Sequence, residues 1–210
     1  MSAGLGQASP EMFAALWERL GARSDPAFVY ALIADAYGQP HRRYHTLEHI
    51  GRILALFHPV RRRLEEPDAA ELALWLHDVV YDPRAGDNEE QSAAFARGVL
   101  RAGGVESRVA ERTSALIVAT RHTAPPEEPD ARYVVDVDLS ILGTPPPEFD
   151  RYETQIREEH PFRSEEEFRR RRARILESFL ARPRIFLTPE FAAFEGPARA
   201  NLARSLARLQ

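Results

Sequence analysis

The order of apolar runs and chain breakers along these 210 residues predicts helices almost throughout. Ser9-Pro10 and Asp25-Pro26 each place a capping side chain ahead of a Pro at the first helical position. Gly21 and Gly38 stand where C′ glycines end helices. A third helix is expected over 46–57, stopped by Pro59. A fourth should start near Asp68, with Glu71 completing a capping box, and run to Asp82-Pro83. Asp87 with Glu90 opens a fifth that ends at Gly103-Gly104, and 107–120 is a sixth. After a Pro-rich loop at 124–130, helices are expected over 148–160, over 164–182 (Ser164 and Glu167 forming another box) and over 197–209.

Tyr133-Val134-Val135-Asp136-Val137-Asp138 departs from that pattern. It is β-branched and alternates with period two, so propensity alone favours a strand. A lone strand has no partner to pair with, and the segment is therefore expected to be a buried helix ending at Gly143. The chain shows no repeat and no linker, which predicts one all-α domain over 1–210.

Composition narrows the chemistry. Net charge is -4, so nothing draws the whole protein to nucleic acid or to an anionic membrane surface. All 28 basic residues are Arg, which lowers the information in any Arg cluster. With no Cys there is neither a disulfide framework nor a thiolate metal site. The amino-terminal stretch has no basic flank or apolar core of a leader, and no apolar run approaches the roughly 20 residues of a membrane span, so the expected location is cytoplasmic.

Three polar clusters interrupt apolar helices. His45 and His49 are four apart and would share one face of a helix. His77-Asp78 follows Leu72-Ala73-Leu74-Trp75-Leu76, where burying both groups without compensation would cost several kcal/mol. Asp136 and Asp138 lie two apart among Val, Leu and Ile, so only one can face a site on a helix. Asp138 shares its side with Val134, Val135, Ile141 and Leu142, and is the better candidate. A local polar network would satisfy any one cluster. Two imidazoles and two carboxylates on three apolar helices together suit a divalent metal (Mn, Fe, Co, Ni, Zn or Mg).

The order His, then His-Asp, then Asp resembles the HD superfamily of metal-dependent phosphohydrolases, and most closely its bacterial branch. Five motifs carry the resemblance: Arg-x-Tyr-His-x-x-x-His-Ile at 42–50, His-Asp-Val-Val-Tyr-Asp-Pro at 77–83, Asn-Glu-Glu-x-Ser-Ala at 88–93, Asp-x-Asp-Leu-Ser-Ile-Leu-Gly at 136–143 and Ala-Arg-x-Asn-Leu at 198–202. Glu159-His160 departs from the Glu-Tyr expected there. The resemblance implies a compact helical bundle with a central metal bound by His49, His77, Asp78 and Asp138. It also implies hydrolysis of a phosphate ester or anhydride of a nucleotide or other small metabolite. His45 falls where related cyclic-nucleotide phosphodiesterases place a general acid.

Several residues carry weaker expectations. Arg42 and Arg43, beside His45, could clamp phosphate or be solvated. His122 could bind a second metal or a phosphate, and reads equally as a loop histidine. Asp82, Asn88 and Glu89 could form an outer shell around the ligands. Arg169 to Arg172 reads as a solvated helix face. Two competing functions stay open. One is an inverse-zincin peptidase built on His45-Thr46-Leu47-Glu48-His49, which leaves His77, Asp78 and Asp138 without a purpose. The other is a metal-holding module that senses a ligand without turning it over.

Overall fold

The computed structural model describes residues 8–209, so residues 1–7, read above for the absence of a leader, lie outside it. Among the described residues there are ten α-helices and no strand: α1 Pro10–Arg19, α2 Pro26–Tyr37, α3 Leu47–Val60, α4 Pro67–Leu76, α5 Asn88–Ala102, α6 Ser107–Ala119, α7 Pro129–Asp138, α8 Pro146–Glu158, α9 Glu165–Leu180 and α10 Glu195–Leu209. None is long and apolar enough to cross a membrane. The all-helical expectation holds. Chain contacts define two compact units, residues up to Val135 and residues from Asp136 onward. Their boundary falls inside α7, a continuous helix, which is why no linker composition marks it.

In the first unit α4 is central, with every residue from Ala69 to Leu76 buried, and it packs against α1, α3, α5 and α6. Trp75 anchors an aromatic cluster with Phe13 and Tyr30, at 5.4 and 6.2 Å between ring centroids. The capping box expected at Asp68 and Glu71 does not form: Glu66 is the N-cap, without a side-chain cap bond. Both carboxylates turn instead to cations. Asp68 pairs with Arg19 and Arg61, and Glu71 accepts from Arg19 at 2.7 Å and Arg61 at 3.2 Å, with His58 at 3.4 Å. The amino end of α4 is served from a distance by buried Asp130, which accepts the N–H groups of Glu65 and Glu66, each at 2.9 Å. An acid at the positive end of the helix dipole is a favourable placement.

Three expected boundaries move. Helix α3 runs through Pro59 to Val60, since a proline this close to the end removes little of the helical bonding. It also begins only at Leu47, so His45 precedes the helix rather than sharing its face with His49. Helix α4 stops at Leu76, so His77-Asp78 lies in the turn that leaves it. Gly21 has the expected left-handed backbone (φ 71°), whereas Gly38 (φ -85°) does not.

In the second unit, a 3-10 turn over Leu139–Gly143 follows α7 and packs against α8 and α10. Two motif residues explain themselves here. A Cβ on Gly143 would stand 2.7 Å from side-chain atoms of Phe194. The Asn201 amide donates to the carbonyls of Leu142 and Thr144, each at 2.8 Å. Ser164 caps α9 through the Glu167 N–H at 3.2 Å, as expected. The expected solvated face of α9 is only partly so: Arg169, Arg170 and Arg171 are exposed, but Arg172 is buried against Glu153 and Tyr152. Burial costs a cation heavily unless it is paired, and this one is.

Candidate metal centre

The His-Asp turn begins where α4 ends, and the helix carries His77 into the interior, 1% exposed. Its Nδ1 lies 3.0 Å from the Leu74 carbonyl, which can only accept, so the proton is assigned to Nδ1. In the neutral ring Nε2 then carries a lone pair. That lone pair faces the Asp78 Oδ2 at 2.9 Å and the Nε2 of His49 at 3.3 Å. A carboxylate oxygen opposite an imidazole lone pair is a mismatch of acceptors in a buried place. A shared proton or a shared cation would resolve it.

His49 reaches the same point from the first turn of α3, where it is 3% exposed. Asp138 is the last residue of α7, a helix whose first seven residues belong to the first unit. Among the described residues, His49, His77 and Asp138 form a group whose ligand atoms lie within 4.8 Å of one another, and such a group could hold a metal ion. The donor set fits a divalent ion: imidazole nitrogens bind at about 2.0–2.1 Å and carboxylate oxygens at about 2.0–2.2 Å, so 3.3 Å between two ring nitrogens is within reach of one ion. Asp78 stands next to His77, outside that closest group.

Asp138 rather than Asp136 stands in the group that could hold an ion, and burial is not what distinguishes it. Asp136 is the more buried of the two, at 0% exposure, and Asp138 only half-buried. Asp136 accepts from the N–H groups of Leu187 (2.8 Å) and Thr188 (2.7 Å) and from the Thr188 hydroxyl (2.6 Å). Burial outweighs these bonds and holds its carboxyl above the ordinary value.

His45 is half-buried, with its Nε2 4.0 Å from Asp78 Oδ2. Its ring stacks on Tyr81 at 4.2 Å and 30°. Tyr44 adds an edge-on contact to His45 and packs its ring 4.7 Å from that of His49, while its hydroxyl accepts from Arg52 at 2.7 Å. Both tyrosines stand inside the motifs that carry the resemblance, yet their type alone did not distinguish a ring wall from core packing.

The remaining expected residues are placed as follows. Arg42 is buried and donates to main-chain carbonyls, so it braces the site instead of lining its open side. Arg43 is exposed and donates to the Pro40 carbonyl at 2.7 Å. Asp82 and Asn88 close a loop on each other: the Asn88 side chain accepts from the Asp82 N–H and donates to its carbonyl, both at 3.0 Å. Ser92 holds the turn after His77-Asp78 by accepting from the Val80 N–H at 3.1 Å. Glu89 does lie near the site. Burial first, and then the negative charges of Asp78 and Glu90, push its carboxyl above the usual range, while His122 draws it down. His122 itself occupies a left-handed backbone position (φ 56°), uncommon outside glycine. No family model, no curated protein and no solved structure matches this chain.

Proposed function

We propose that this chain is a metal-dependent phosphohydrolase of the HD type, acting on a phosphate ester or anhydride of a nucleotide or similar small metabolite. One observation carries the reading. The ring of His77, its tautomer set by Leu74, meets a second imidazole and a carboxylate at one buried point, with a third histidine beside it. His49, His77 and Asp138 would hold the ion, with Asp78 completing the set. When bound, a divalent ion supplies a Lewis acid that polarises a phosphoryl oxygen and acidifies a water at neutral pH.

The chain's own residues divide the remaining work. Leu74 fixes the tautomer of His77 so that Nε2 points to the ligand position. The rings of Tyr44 and Tyr81 hold His45 beside the ligand group. From there His45, its ring only partly covered, would protonate the leaving oxygen. Arg43, exposed two residues before it, would offer its positive charge to a phosphate.

The test is metal analysis of the purified chain, followed by phosphate release from nucleotides with Mn, Mg, Co and Ni added. The expected result is one tightly held ion and release that depends on it. General acid catalysis contributes on the order of 10²–10⁴-fold where the leaving group needs a proton. His45→Ala should therefore cripple hydrolysis of a ribose phosphate far more than that of a nitrophenyl phosphate, with the metal retained. Equal losses on both substrates would remove His45 from the acid role. A retained metal without turnover of any phosphate would make the protein a sensing module.

A further inference from the structure

We propose that Arg42 is the positioning residue of the metal centre, joining the segment that carries His45 to the turn that carries Asp78. An arginine is almost never fully buried unless its charge and donors are answered. Arg42 is 4% exposed, and three of the groups that meet its donors are main-chain carbonyls of the site itself. Its Nη1 donates to the carbonyl of Asp78 at 2.6 Å and to that of His45 at 3.3 Å. Its Nη2 donates to the carbonyl of Val79 at 3.0 Å, and its Nε to Gln39 Oε1 at 3.1 Å.

The plane of the guanidinium is walled by two rings, with centroids of Tyr37 and Tyr81 at 5.1 and 5.3 Å. Tyr81 is the same ring that stacks on His45. One side chain thus ties together two stretches 36 residues apart in sequence, through the carbonyls of the residues that matter on each side. A planar fork of donors does this, and an ammonium cannot: lysine offers a point charge without the geometry to span three carbonyls and fill the slot between two rings. Without Arg42 the His-Asp turn and the segment entering α3 would each keep their local structure and lose their mutual register.

This role rests on the metal reading of the site, and the experiment separates the two. The full chain, stripped with a chelator, is titrated with Co(II) and followed by visible absorption, beside the Arg42→Lys variant. Helix content and melting temperature are recorded for both. Outer-shell partners of metal ligands are typically worth 10–100-fold in affinity. Arg42→Lys should lose Co(II) affinity by about that factor and shift the absorption band, with helix content preserved.

A folded variant with the parent's affinity and the parent's spectrum overturns the proposal, because a merely structural arginine would lower the melting temperature alone. If Arg42→Lys does not fold, Arg42→Gln decides, since it removes the buried charge and cannot span the carbonyls of His45, Asp78 and Val79. A severalfold loss with a band shift supports the role, and parent-like binding overturns it. A parent chain that takes up no Co(II) overturns the metal reading and this role together. A parent that binds while Arg42→Lys binds equally well overturns only the role of Arg42.

Discussion

Asp136 and His77 are almost equally buried, at 0% and 1% exposure, and their surroundings could hardly differ more. Each oxygen of Asp136 is met by a donor, from the Leu187 and Thr188 N–H groups and the Thr188 hydroxyl. His77 gives its one assigned proton to Leu74 and then turns a lone pair on a second imidazole and a carboxylate. Burial alone therefore does not separate a structural polar group from a functional one. The sense of donor and acceptor does. A complementary set is finished by the fold, while a ring nitrogen turned on a second imidazole and a carboxylate stands in a group that could hold a cation.

Glu71 belongs on the Asp136 side of that division. It is a buried acid in the core of the first unit, and Arg19, Arg61 and His58 surround it with positive charge and donors. Burial would raise its carboxyl, but the His58 bond and the charge of Arg19 outweigh burial and hold it below the usual range.

The largest effect should come from breaking the acceptor cluster. His77→Ala is expected to abolish metal retention and phosphate release together, as read by metal analysis and a phosphate assay. A variant that keeps its metal would put the ligand group elsewhere. Next comes the complementary cluster. Thr188→Val removes one hydrogen bond to a charged group, a loss of about 1.5–3 kcal/mol, which urea unfolding would register. Its metal content should equal the parent's. A loss of metal without a loss of stability would erase the distinction between the two regions.

Glu71→Gln should cost less at neutral pH, about 1–2 kcal/mol. Its signature is the dependence on acid. A carboxyl held below its ordinary value contributes stability above that value of 4.5 and gives it up as pH falls through the folded value. The parent should therefore lose more stability than Glu71→Gln between neutral pH and the region below 4.5. Parallel loss in the two proteins would show that the cationic cage does not act on Glu71. The smallest effect belongs to Glu48→Gln. Glu48 is exposed on α3, and surface changes of this kind usually stay within about 0.5 kcal/mol. Phosphate release should be nearly unchanged. Proteolysis lost in this variant but kept in Asp138→Asn would instead support the peptidase reading of His45 to His49.

The all-helical fold was legible because its punctuation is local. Ser9, Asp25 and Ser164 cap the helices they precede, using backbone N–H groups two or three residues away. The helical state of Tyr133 to Asp138 was legible for a different reason, the lack of any strand to pair with. The residues of the ligand group, His49, His77 and Asp138, were likewise marked by polar types on apolar helices. What sequence could not supply was the partner of each buried charge, because those partners lie far along the chain. Asp68 and Glu71 spell a capping box, yet Arg19, some 50 residues earlier, claims both. Arg42 looks like a phosphate clamp beside His45 until the carbonyls of Asp78 and Val79 arrive from the turn after α4. Asp136 and Asp138 are alike in type and spacing, and only the loop at Leu187 and Thr188 decides which is finished with its bonding. Sequence by itself determined the helices and the residue types of the site, since caps and periodicity act over a few residues. Tertiary structure alone decided which donors meet each buried charge and which polar groups gather where an ion could be held, since that depends on residues brought from elsewhere in the chain.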